Sequence, residues 1–179
     1  MKMGAHGQRF LLRSALLFGL CLGWTFFLPQ CAQEKKPLTD WASDFSLKAL
    51  NDQEITLSRL RGKVVLLDFW ATWCSPCRES IPHLVQLYRT YRENEFEIIG
   101  MSIDKGGEMV VRHFAKSMEI PYPIVMTPED VARAYRVTSI PTLFLIDREG
   151  KIRERITGFN LTVAQQIHSK IGAIISEKP

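Results

Sequence analysis

The chain has 179 residues, enough for one domain with a sizeable core. Hydrophobic residues make up 46% and charged residues 23%, the usage of an ordinary globular protein. Net charge is +4, part of it within the first 13 residues, and no basic stripe is interleaved with aromatics, so the charge makes no case for a nucleic-acid partner.

The N-terminus differs from the rest. Met1 to Arg13 carries Lys2, Arg9 and Arg13 and no acid, and Ser14 to Leu28 follows as a 15-residue run without a charge. Cys31 and Ala32 then lead into the polar stretch QEKKP. A basic start, a short apolar stretch and a polar exit form a secretory signal pattern. The run is short for a membrane span, which needs about 20 residues. Counted from Phe10 it reaches 19, with Arg13 extending its charge towards the interface. Three readings of residues 1–32 stay open: a cleaved signal peptide, a retained membrane anchor, and a bacterial lipoprotein with Cys31 as its lipidated first residue. LPQC is similar to a lipobox, although Gln30 stands where that motif favours a small residue. All three readings place the body outside the cytoplasm, because positive charge stays inside.

Residues 33–40 read as a polar linker to a domain over 41–179. Asp44 to Leu50 alternates as a strand, turns at Asn51-Asp52 and returns through EITLS as a hairpin. Arg61-Gly62 closes a short helical turn. Lys63 to Trp70 (KVVLLDFW) is an apolar run of the kind buried on both faces of a sheet, interrupted by Asp68. From Cys74 to Arg92 the period becomes helical, with Ile81, Leu84, Val85, Tyr88 and Tyr91 in one stripe and a kink expected at Pro82. Phe96 to Ile103 is the next buried strand, and residues 108–118 a helix with Val110, Val111, Phe114 and Met118 inward. Tyr122 to Met126 is a short strand, followed by a short helix to Tyr135 that Thr127 could cap. Thr142 to Asp147 and Lys151 to Thr157 flank the turn REG as an antiparallel hairpin. Leu161 to Ile175 is a last helix, with Ala164, Ile167, Ile171 and Ile174 inward. Strands alternating with helices, then a hairpin and a helix, predict an α/β mixed sheet with helices on both faces.

Four cysteines are present, and Cys21 and Cys31 fall in or beside the export segment. Cys74 and Cys77 are the body's single pair. A structural zinc site wants four ligands, but His83, His113 and His168 stand apart from one another. A structural disulfide closing so short a loop would restrict the unfolded chain little. The setting favours redox chemistry. A buried strand ends at Trp70 and a helix begins near Cys74, where unpaired backbone N–H groups and the helix dipole stabilise a thiolate. Cys77 lies one turn further in. Cys74 then suits the attacking thiol and Cys77 the resolving one. Pro76 fits the first helical turn, where its missing N–H is not needed.

DFWATWCSPC resembles the active site of the thioredoxin superfamily. The stretch FSLKALNDQEITLSRLRGKVVLLDFWATWCSPCRESIPHL resembles its exported branch, the TlpA/ResA and cytochrome c maturation type, and the likeness extends over about residues 41–175. The resemblance implies a thioredoxin-like sheet with an N-terminal hairpin and a central βα insertion. It also implies a cis peptide bond before Pro141 in SIPT, on a loop that holds an extended partner segment. Trp73, Ser75, Pro76, Ile140 and Pro141 become the expected substrate-binding residues, with Trp70 and Trp73 flanking the site. The implied activity is reduction of protein disulfides, with apocytochrome c among the candidate substrates and a membrane-embedded thiol protein as electron donor. It needs neither a metal nor a cofactor.

The chain departs from that branch in two places. Many exported members carry a glutamate three residues after the second cysteine; here Ser80 stands there and Glu79 precedes it, about 100° away around a helix. Asp68 holds a position where this branch often has asparagine and cytoplasmic thioredoxins keep a buried acid. An unpaired carboxyl on a buried strand should have a raised pKa and could move a proton to or from Cys77. Two other functions remain open. A peroxiredoxin-like peroxidase shares the manner of opening, but wants threonine three residues before its cysteine, where Ala71 stands, with Thr72 only two before. A non-catalytic metal- or partner-binding module on the same scaffold is the other.

Overall fold

The computed structural model describes residues 40–177. The expectations for residues 1–32, lipidation of Cys31 among them, and for the linker up to residue 39 lie outside the described residues. β1 (Ser46–Lys48) and β2 (Glu54–Thr56) pair antiparallel as a separate two-stranded sheet. This hairpin is shorter than the alternating sequence predicts. Asp52, at φ 68°, makes the turn in the left-handed region that short polar side chains tolerate. A 3-10 turn at Leu57–Leu60 leads into β3 (Val64–Trp70), every residue of which is buried.

β3 is the middle of a five-stranded sheet. With β4 (Phe96–Ser102), β5 (Ile124–Met126), β6 (Thr142–Ile146) and β7 (Ile152–Thr157), the order is β5-β4-β3-β6-β7. β3, β4 and β5 run parallel, β6 runs antiparallel to β3, and β7 antiparallel to β6. The connecting helices are α1 (Ser75–Tyr91), α2 (Glu108–Ser117), α3 (Glu129–Ala134) and α4 (Leu161–Ser176). β5, which α3 follows, supplies the parallel edge strand.

Alternation along β3 separates two cores. Val64, Leu66 and Trp70 pack with Ile81 and Leu84 of α1, Val111 of α2 and Ile167 and Ile171 of α4. Val65, Leu67 and Phe69 pack with Tyr135, Phe144, Ile55 and Leu57 on the opposite face. Each fully buried Leu or Ile contributes about 1.5–3 kcal/mol by leaving water. Phe69, Tyr135 and Phe144 form an aromatic cluster with centroids 5.1–5.7 Å apart.

Two expectations need correction. Val110 is 47% exposed, and the buried residue of α2 is Val111, with Phe114, Ala115 and Met118 packed partly beside it. One residue turns a helix by about 100°, enough to carry Val110 out of that stripe. Thr127 does not cap α3: Pro128 occupies the cap position without a side-chain bond, the Val131 amide donates to Asp130 Oδ1 at 2.9 Å, and the buried Thr127 hydroxyl has no partner among the described residues. α1 runs through Pro82 as a single helix.

Candidate active site

The β3–α1 junction builds the site. β3 delivers the chain to the carboxyl end of the parallel strands, and Ala71 to Trp73 form the connection. Cys74 then takes the N-cap position of α1, with extended backbone (φ −86°, ψ 109°). Its Sγ accepts a hydrogen bond from the Cys77 amide at 3.2 Å. The two sulfurs form a disulfide, S–S 2.09 Å. Cys74 is 5% exposed and Cys77 fully buried. Ser75 and Pro76 fill the exposed first turn, where a proline costs no hydrogen bond. After reduction, the cap geometry would place a backbone N–H and the positive end of the helix dipole at the Cys74 thiolate.

The peptide bond between Ile140 and Pro141 is cis. Thr142 is the register partner of Phe69, so Pro141 lies at the end of the sheet from which the chain runs on to Cys74. Trp73 is 65% exposed beside the dithiol. Trp70 does not share that surface. It is buried against Phe114 at 5.4 Å, with its indole N–H turned into the core.

Asp68 sits two residues before Trp70 on the same face of β3. It is fully buried, and neither carboxyl oxygen has a hydrogen-bond partner among the described residues. Burial alone pushes its pKa up to about 7. The phenol of Tyr122 is held well above its usual range, first by burial and then by the nearby Asp68 carboxyl.

Ser80 is fully buried, and its hydroxyl donates to the Cys77 carbonyl at 2.8 Å. Glu79 is exposed, so it does not stand in for a buried acid at position 80. His83 is half-buried against Phe159, ring centroids 5.4 Å apart, while His113 and His168 are exposed. Among the described residues no group of three or more His, Cys, Asp and Glu is placed to hold a metal ion, and no helix is long and apolar enough to cross a membrane.

The sequence reading missed Asp104. Its Oδ1 accepts the Thr72 hydroxyl at 2.6 Å, and its Oδ2 accepts the Thr72 amide and the Ser102 hydroxyl, each at 2.9 Å. This carboxylate ties the connection just before Cys74 to the end of β4. The available signal was its place: a polar residue just past a buried strand, at the carboxyl end of a parallel sheet, where sites gather.

Comparisons with known proteins agree with this architecture. Residues 38–155 match the AhpC/TSA family. A thiol-disulfide oxidoreductase ResA of Bacillus cereus is 36% identical over 155 residues, covering 84% of this chain and 89% of that protein. ResA of Bacillus subtilis is 34% identical over 156 residues, covering 84% and 86%. A crystal structure from Chlorobium tepidum, of a protein assigned as the thiol:disulfide interchange protein DsbE, superposes with a TM-score of 0.72 at 32% identity, covering 76% of this chain and 96% of the other. The match over most of the chain, with a Cys-Ser-Pro-Cys pair at the head of α1, makes this chain a member of the AhpC/TSA family and, within it, a thiol-disulfide oxidoreductase of the ResA type.

Proposed function

We propose that this chain reduces disulfides in exported proteins through Cys74 and Cys77. The supporting observation is the Cys74 sulfur at the α1 N-cap, accepting the Cys77 amide while Cys77 lies wholly inside. The Cys74 thiolate attacks one sulfur of the substrate disulfide, and the other leaves as a thiolate that takes a proton. Cys77 loses its proton, attacks Cys74 Sγ and expels the second substrate sulfur. Two electrons pass to the substrate, and the Cys74–Cys77 disulfide remains. Asp68, buried on β3 behind the pair, accepts the Cys77 proton in the resolving step and returns it on re-reduction. Trp73, Ser75, Pro76, Ile140 and Pro141 form the surface on which the substrate segment lies.

The N-terminal pattern supports export, with the domain over 41–179 held at or released beyond the membrane. A membrane-embedded thiol donor would re-reduce the pair, and apocytochrome c is a candidate substrate. The Ser75-Pro76 dipeptide, close to the thioredoxin Gly-Pro, supports the reducing direction. The test is the Cys74–Cys77 reduction potential together with turnover. A potential near about −270 mV and reduction of a protein disulfide are expected, whereas a value near about −120 mV would reverse the direction. Rapid peroxide consumption without any disulfide substrate would replace the reading with a peroxidase.

A further inference from the structure

A cleft of about 790 Å³ opens at the carboxyl ends of β4 and β5, lined in part by Asp104, Thr127, Arg133, Arg136 and Thr138. Two chain segments connect it to the proposed site. Asp104 holds Thr72, two residues before Cys74. Thr138 lies three residues before the cis Pro141.

The charges of the cleft are unevenly matched. Both Asp104 oxygens are occupied by Thr72 and Ser102. Glu129 faces Lys105 at 3.7 Å, with both side chains exposed. Arg133 and Arg136 have no carboxylate at ion-pair distance among the described residues, although the Arg136 carbonyl accepts from Arg155. The buried Thr127 hydroxyl also lacks a partner there. Arg78, one residue past Cys77, is exposed and donates to the Thr72 carbonyl at 3.5 Å. Two guanidiniums without a carboxylate partner lining one cleft suit a carboxylate, which a guanidinium binds through a planar fork of N–H donors.

We propose that this cleft is a specificity subsite for the disulfide substrate: it takes a polypeptide segment with Asp or Glu near the reacting cysteine and holds that carboxylate between Arg133 and Arg136. The proposal rests on Cys74 and Cys77 being the reacting pair. Extended chain covers about 3.3–3.6 Å per residue. An acid a few residues from the substrate cysteine is the arrangement put to the test.

The test uses three disulfide-bonded peptides that differ only in carrying Glu, Gln or Lys three residues from the cysteine. The reduced wild-type protein should show a KM for the Glu peptide about five- to tenfold below that for the Lys peptide, as expected for two exposed charge contacts, with kcat alike. Raising the ionic strength from about 0.05 to 0.5 M should remove most of the difference, because screening shortens the reach of exposed charges. Arg133→Glu with Arg136→Glu should reverse the preference. If that double variant folds poorly, Arg133→Ala, at an exposed helical position, should still reduce the preference. Equal KM values for the three peptides, or a Glu preference kept by these variants, would overturn the subsite while leaving the oxidoreductase reading intact. Failure of the wild type to exchange with any peptide would overturn both.

Discussion

Asp68 and Gly100 are register partners across the parallel pair of β3 and β4, so the residue beside the buried carboxyl offers it no side chain. The space is narrow. A Cβ on Gly100 would come within 3.0 Å of Ile124 Cγ1 and 3.1 Å of Trp70 Nε1. The glycine leaves room for the Trp70 indole, the Tyr122 ring and Ile124 of β5 beside it, while the Asp68 carboxyl has no hydrogen-bond partner among the described residues.

Gly100→Ala should destabilise the domain by about 1–3 kcal/mol, the usual cost of overpacking a filled core. Urea unfolding followed by near-UV circular dichroism reads this directly, through the Trp70 environment. A variant as stable as the wild type would show that the core yields at this point.

The isolation of Asp68 makes stability depend on pH in a defined direction. Its carboxyl titrates near 3.8 when unfolded and about 7 when folded. Below the lower value both states are protonated and the group contributes nothing. Between the two values only the unfolded state ionises, so stability falls with rising pH, by roughly 4 kcal/mol in all, and levels off above about 7. Asp68→Asn removes this slope. The variant should gain on the wild type in urea midpoint from pH 4 to pH 8. It should also slow the resolving step at neutral pH and flatten its pH profile. Parallel stability curves and unchanged kinetics would leave Asp68 as a core residue with no part in proton transfer.

Asp104→Ala should loosen the connection before Cys74 by removing the acceptor for the Thr72 amide, the Thr72 hydroxyl and the Ser102 hydroxyl. Hydrogen bonds to a charged group contribute about 1.5–3 kcal/mol each, so a loss of several kcal/mol in stability is expected. Faster amide exchange at Thr72 is the local signature. Protection unchanged at Thr72 would mean that the connection is held by other contacts.

The main elements were legible because their patterns are simple. KVVLLDFW is the continuous apolar run expected of a central strand, and the helical stripe of Ile81, Leu84 and Val85 follows it directly. The Cys74 cap was legible for the same reason: the change of period falls at the first cysteine. Three features depended on neighbours distant in sequence. Val110 and Val111 are equally apolar, and only the packing of α2 selects Val111. Trp70 and Trp73 look alike in sequence, yet the central strand, covered on both faces, buries the first and the connection exposes the second. Asp104 lies 32 residues from Thr72, and no local pattern announces that a carboxylate after β4 will anchor the approach to Cys74.

The assignment of Cys74 as attacking thiol and Cys77 as resolving thiol is tested most directly by trapping. Cys77→Ala is mixed with a disulfide-bonded protein substrate, quenched in acid and mapped by mass spectrometry. A stable mixed disulfide on Cys74 is expected, with none accumulating in Cys74→Ala. Equal trapping by both variants, or an adduct on Cys77 alone, would contradict it.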